Sequence, residues 1–108
     1  MCGIFGTTYD SPDVEAIVRR ALAIQGRGSD GEGVWRGGGV TFGHRRLAII
    51  DPDARSAQPM VRGDAVLSYN GELWNYRELQ SRLASMGAEF STESDTVVVI
   101  QAYRFLGE

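Results

Sequence analysis

Thiols, imidazoles and prolines are scarce in this chain, whose 108 residues hold one cysteine, one histidine and three prolines. A lone cysteine forms no internal disulfide, and Cys2 with His44 falls short of the four ligands of a structural zinc site, so no metal site is expected. No apolar run approaches the ~20 residues needed to span a bilayer. The opening MCGIFGTTYD has neither the cationic segment nor the cleavage site of a signal peptide. A cytoplasmic protein is the expectation. Basic runs are missing too: the net charge of -3 comes from interspersed signs, so neither nucleic acid nor an anionic membrane is an expected partner. Repeats, low-complexity tracts and an interdomain linker are not visible.

What is present points to a folded domain. Apolar residues make up 43% and charged residues 23%, close to the average of soluble globular chains. Ten of the 14 glycines lie between Gly3 and Gly43, which predicts a first half rich in turns and close backbone contacts.

The pattern alternates between strands and helices. CGIFGTTY, residues 2 to 9, mixes β-branched and aromatic residues before the turn-prone Asp10-Ser11-Pro12 and reads as a strand. Ser11 fits an N-cap with Pro12 at the first helical position. Val14, Ile17, Val18, Ala21 and Leu22 then recur at helical spacing, predicting an amphipathic helix over 12 to 25. GRGSDGEG, 26 to 33, reads as a loop. Strands near 33 to 36 and 39 to 46 should be joined by a turn at Gly37, Gly38 and Gly39. The stretch 51 to 64 reads as a long connection, and AVLSYN, 65 to 70, as a strand. Asn75 and Glu78 have the spacing of a capping box ahead of a helix from about 75 to 86, which Gly87 stops. A short strand at 88 to 91 is admitted. Ser94-Asp95 then opens a helix through VVVIQAYRFL that is apolar on more than one face. With little chain left to cover that helix, the domain looks unfinished.

Alone, Cys2 reads as a small buried residue. Its position raises another reading. Removal of Met1 would leave the thiol and a free α-amino group, of pKa about 7.7 to 8.0, on one residue. Such an amine can take the thiol proton directly or through one water.

Four ordered blocks carry a resemblance: MCGIFG at the start, GHRRLAIID at 43 to 51, YNGELWNYREL at 69 to 79 and ESDTVVVIQAY at 93 to 103. Together they resemble class II glutamine amidotransferases, and RRLAIID with NGELWNYREL is most similar to the asparagine synthetase branch. The resemblance implies an α+β fold, the N-terminal-nucleophile hydrolase αββα sandwich, of which residues 1 to 108 are the N-terminal part. It implies a glutaminase in which Cys2 attacks the glutamine side-chain amide, releasing ammonia and leaving a γ-glutamyl thioester that water hydrolyses.

By the same resemblance, Asn70 and Gly71 supply the oxyanion donors, an amide side chain and a backbone N–H. Arg46 clamps the substrate α-carboxylate, Asp95 receives its α-ammonium group, and Glu72 assists. The backbone of Leu47, Ile49 and Ile50 adds hydrogen bonds to glutamine. Each has a plainer alternative: Asn70-Gly71 as a hairpin turn, Asp95 as a helix cap, Leu47 to Ile50 as a packed strand. Arg45 should face away from Arg46 if both lie on a strand. Where the family usually shows His-Arg-Gly-Pro-Asp, this chain has Gly26-Arg27-Gly28-Ser29-Asp30, which should loosen that loop while leaving Arg27 and Asp30 to buttress the site. The loop lacks the Gly-Lys-Ser/Thr ending of a phosphate cradle.

No cofactor is expected in this domain; ATP and magnesium belong to a synthetase domain that the family adds beyond it. Glutamine and that synthetase domain or subunit are the expected partners, and a homodimer is admitted. Two rivals stand beside the glutaminase: a catalytically silent truncated domain surviving as an interaction module or an unstable remnant, and a papain-type triad of Cys2, His44 and Asp51.

Overall fold

Alternating apolar residues at the amino end of the chain find their partner some forty residues on, and that pairing organises the first half of the molecule. The computed structural model describes residues 2 to 26, 31 to 46 and 57 to 107. Its elements run β1 (Gly3–Thr7), α1 (Val14–Ile24), β2 (Gly31–Gly37), β3 (Val40–Arg46), β4 (Met60–Arg62), β5 (Ala65–Leu67), α2 (Tyr76–Ser85) and α3 (Asp95–Leu106). The architecture is mixed α/β with two small antiparallel sheets, one ordered β1-β3-β2 and one formed by β4 and β5.

β3 sits between its two neighbours, with Gly3 opposite Arg45, Ile4 opposite His44, Gly33 opposite His44 and Gly37 opposite Val40. The β2–β3 link is a two-residue turn at Gly38 and Gly39, with φ of 56° and 77°. Positive φ at both central positions is what a tight turn matching the strand twist needs. One face of this sheet takes α1. Val14, Val18 and Leu22, spaced by four, are fully buried against Phe5 and Val34. Each such aliphatic side chain contributes about 1.5–3 kcal/mol by leaving water. The helix approaches so closely that a Cβ on Gly43 would lie 2.3 Å from Val18 Cγ1 and 2.7 Å from Leu22 Cδ1.

The start of α1 differs from the sequence expectation. The helix begins at Val14 with Asp13 as its N-cap. Ser11 closes the preceding turn, its Oγ accepting from the Asp13 N–H at 3.3 Å and its carbonyl from the Val14 N–H at 3.2 Å. Proline fits that turn as well as it fits a helix start.

The second half is built on α3. Met60 and Ala65 from the β4–β5 hairpin pack on Val97 and Ile100, and Leu83 of α2 meets Ala88 and Val98. The connection expected over 51 to 64 therefore contains a strand, β4, which turns into β5 at Gly63, φ 58°. Three residues are too few to display an alternation, and β4 becomes a strand through its ladder with β5. Residues 88 to 91 form no strand. Ala88 instead closes α2 in a Schellman motif: its N–H reaches the Leu83 carbonyl at 3.0 Å and the Gly87 N–H reaches Ala84 at 3.1 Å, with Gly87 at φ 102°. α3 opens on Ser94, whose Oγ accepts from the Thr96 N–H. The capping box expected for α2 is not formed, since Asn75 occupies the N-cap without a side-chain bond.

Candidate active site

Strand alternation decides which of the candidate residues can meet. Directly opposed residues of an antiparallel pair share a face. Phe42, His44 and Arg46 of β3 thus lie on the face away from α1, together with Ile4 of β1 and Gly31, Gly33 and Trp35 of β2. The Trp35 and Phe42 rings, 6.1 Å apart, line its far end. The ladder ends at the Gly3–Arg45 pair, and Cys2 and Arg46, the next residue on each chain segment, flank that same end of the sheet. Both are half-buried. Across β3, Arg46 is opposed by Gly31, where a Cβ would meet nothing within 4 Å among the described residues.

Arg45, one residue back, takes the opposite face, as the strand reading requires. Its Nε is 3.9 Å from Glu32, which also binds Arg19 of α1 at 2.6 Å. The two adjacent arginines thereby face opposite ways: Arg45 lies beside Glu32, the residue that joins the sheet to α1, and Arg46 lies on the other face.

The other candidates lie on the segment between β5 and α2 and at the start of α3. Asn70, Gly71 and Glu72 are exposed. They form no hairpin turn: Asn70-Gly71 leads from β5 into α2, and Gly71 does not adopt positive φ. Asp95, 6% exposed, accepts the Leu73 N–H at 3.0 Å and so ties the far side of this loop to the first turn of α3. The Tyr69 phenol is held above its ordinary pKa by burial first, then by the Asp95 and Glu72 carboxylates. A Cβ on Gly71 would sit 3.0 Å from the Tyr69 hydroxyl, so a side chain there would crowd the ring.

Two side chains anchor this loop, one to the sheet and one to α3. His44, fully buried, has Nδ1 2.8 Å from Ser68 Oγ. Gln58 Oε1 accepts the Tyr69 N–H at 2.6 Å while its Nε2 donates to Thr96 Oγ1 at 3.3 Å. Burial, with the Arg46 charge adding to it, lowers the His44 pKa to about 4. The imidazole is thus neutral at pH 7, and its Nε2 has no hydrogen-bond partner among the described residues. As the base of a papain-type triad His44 is poorly suited. It is too weakly basic, its Nδ1 is engaged by Ser68, and it lies two residues, about 7 Å along the strand, from the end of the sheet that Cys2 and Arg46 flank.

Leu47, Ile49, Ile50 and Asp51 lie outside the described residues, as do Arg27, Gly28, Ser29 and Asp30. Gly26, just past the end of α1, adopts φ 62°. Among the described residues no group of three or more His, Cys, Asp or Glu could hold a metal ion, and no helix is long and apolar enough to cross a membrane. Two grooves, of about 430 and 340 Å³, are lined by residues including Asp64, Arg62, Arg104 and Phe105, and by none of the candidate residues. Ser68, Gln58 and Tyr69 were not singled out by the sequence. Gln58-Pro59 inside a polar connection looks like loop chemistry, and only its contacts reveal the bridge.

The family model described as "Glutamine amidotransferase domain" matches residues 1–108, and the chain belongs to this family. Among curated proteins, asparagine synthetase [glutamine-hydrolyzing] 1 of Bacillus subtilis (strain 168) is 36% identical over 116 residues, covering 100% of this chain and 18% of the relative. Asparagine synthetase [glutamine-hydrolyzing] 1 of Arabidopsis thaliana is 34% identical over 113 residues, covering 99% and 19%. A putative asparagine synthetase [glutamine-hydrolyzing] 2 of Methanocaldococcus jannaschii is 33% identical over 129 residues, covering 99% and 24%. The chain spans about a fifth of the length of these relatives.

Proposed function

We propose that this chain is the glutaminase part of an asparagine-synthetase-like amidotransferase, built as the N-terminal portion of the N-terminal-nucleophile hydrolase sandwich. The observation that supports the reading is the β1–β3 register, whose last pair, Gly3–Arg45, has Cys2 and Arg46 as its flanking residues at the end of a sheet that His44 ties to Ser68, in a chain that the amidotransferase family matches from end to end.

After removal of Met1, the Cys2 α-amine takes the thiol proton and the thiolate attacks the glutamine side-chain carbonyl carbon. A C–S bond forms, and the C–N bond breaks as the proton passes to the leaving nitrogen, giving ammonia. Water then cleaves the thioester to glutamate and regenerates the thiol. Two donors stabilise the tetrahedral oxyanion, the Asn70 side-chain amide and the Gly71 N–H. At the other end of the substrate Arg46 binds the α-carboxylate as a planar fork, while Asp95, with Glu72 beside it, takes the α-ammonium group. The backbone of Leu47, Ile49 and Ile50 adds hydrogen bonds. None of these steps calls for a cofactor. Ammonia passes to a synthetase domain or subunit, where ATP and magnesium are used, and a homodimer is compatible with this arrangement.

A silent interaction module is the second reading, and the exposed apolar end of α3 favours it: Tyr103, Phe105 and Leu106 are 54%, 37% and 46% exposed. Glutamate release separates the two. A form beginning at Cys2 should hydrolyse glutamine, and a form holding one uncleavable residue before Cys2 should not, because its nitrogen is an amide without useful basicity. Equal activity in both forms refutes the terminal-amine mechanism. Silence of the folded Cys2 form favours the silent truncated domain, as interaction module or remnant.

A further inference from the structure

We infer that Gln58 is a positioning residue that fixes the oxyanion donors relative to the acid that receives the substrate ammonium group, an assignment that rests on the glutaminase reading. The side chain is buried, 9% exposed, and its carbamoyl group spans two elements. A backbone N–H can only donate, so the atom 2.6 Å from the Tyr69 nitrogen is the carbamoyl oxygen, leaving the NH2 to face Thr96 Oγ1 at 3.3 Å. Tyr69 immediately precedes Asn70 and Gly71, and Thr96 immediately follows Asp95. One planar group therefore sets the spacing between the start of the oxyanion loop and the first turn of α3.

The Gln58 backbone is itself seated on the sheet that carries Cys2. A Cβ on Gly33 would lie 2.1 Å from the Gln58 carbonyl oxygen, so glycine alone permits this approach, and Gly33 is the β2 partner of His44. The sheet, the loop and α3 thus meet at one residue. Asp95 closes the far side of the same loop through the Leu73 N–H. Glutamine is held at both ends, and an error in the separation of the two ends misplaces the amide carbon relative to the thiol. Displacements of about 1 Å cost on the order of 10²-fold in rate.

The two ends of Gln58 can be separated by mutation. Thr96→Val removes only the acceptor beside Asp95, and it retains the side-chain volume and the Ser94 cap on the Thr96 N–H. It should raise the KM for glutamine several-fold with kcat nearly unchanged. Gln58→Met removes both bonds and should raise KM similarly while lowering kcat by about 10- to 100-fold. Gln58→Glu, which keeps an acceptor for the Tyr69 N–H, should recover most of that kcat. A merely structural side chain would instead lower the active fraction in step with the melting temperature, without splitting kcat from KM; that pattern, or wild-type kcat in Gln58→Met, overturns the role. Should Gln58→Met fail to fold, Thr96→Val decides, and an unchanged KM overturns the proposal. A folded wild-type chain that releases no glutamate removes the functional reading and this role with it, whereas an active wild type beside an unaffected Gln58→Met removes the positioning role alone.

Discussion

Acidification from pH 7 to pH 4 should destabilise this chain largely through one side chain, His44. The imidazole is fully buried on the inner face of β3, hydrogen-bonded through Nδ1 to Ser68 and sharing that face with Arg46. Burial, then the Arg46 charge, holds its pKa near 4 against an ordinary value of 6.5. Between those values the unfolded chain binds a proton at this position and the folded chain does not, so stability must fall as the pH falls through that window. It is fully present above about pH 6.5 and lost by about pH 4. Each pH unit in the window costs about 1.4 kcal/mol, which makes the whole loss about 3 kcal/mol. For a domain near this size that corresponds to a drop in melting temperature on the order of 10 °C. Carboxylates titrate in the same range, so the test is a difference between two proteins. His44→Asn keeps a polar group toward Ser68 and has no titration. It should be less stable than wild type at pH 7, because it leaves a small cavity, but its stability should decline more gently with acid. The gap between the two proteins should close by about 3 kcal/mol between pH 7 and pH 4. Parallel profiles in thermal or urea melts would refute the argument that His44 is buried neutral.

Three further outcomes are open to measurement. Arg46→Ala should raise the KM for glutamine and leave kcat within a few-fold, because a carboxylate remote from the reacting amide is held similarly in ground and transition states; a pure kcat loss contradicts the clamp. Gly33→Ala should destabilise the chain by about 1–3 kcal/mol, since the new methyl displaces the Gln58 carbonyl, and an unchanged urea midpoint would mean that the sheet and the hairpin are not packed this closely. The exposed end of α3 should bind an apolar-surface dye or self-associate, and monomeric cooperative melting with no dye response would show that this surface is too small to matter.

The sequence was most informative where a local signal and the tertiary structure agree. The four-residue spacing of Val14, Val18 and Leu22, the Gly38-Gly39 turn, the Ser94 cap and the Gly87 stop all recur in the structure, because each depends on neighbours a few residues away. Ser11, Asn75 and the 88 to 91 segment were read less well for a common reason. Each had several local hydrogen-bonding options of similar free energy, and residue type alone does not select among them. β4 shows this most clearly, as Met60–Arg62 has no pattern of its own and becomes a strand only against β5.

The candidate site divides along the same line. Cys2, Arg46, Asn70, Gly71 and Asp95 stand in blocks that resemble a known family, so they could be named before any geometry was known. The alternation of β3 was enough to expect that Arg45 and Arg46 part company, and Arg45 does pair with Glu32 on the α1 face. Neither route gave a role to Gln58, Ser68 or Tyr69, although Tyr69 opens the YNGELWNYREL block; their contribution lies in contacts 11 to 38 residues distant in sequence. A glutamine before a proline and a serine after a three-residue strand carry no chemical signature. What distinguishes them is that each satisfies a buried or half-buried polar group that would otherwise cost about 1–3 kcal/mol to desolvate. Groups that react can announce themselves by type, whereas groups that hold reacting elements apart are defined by the distance they span. The expectation follows that substitutions at Gln58 and Gly33 alter how the site is assembled without removing any group that touches glutamine.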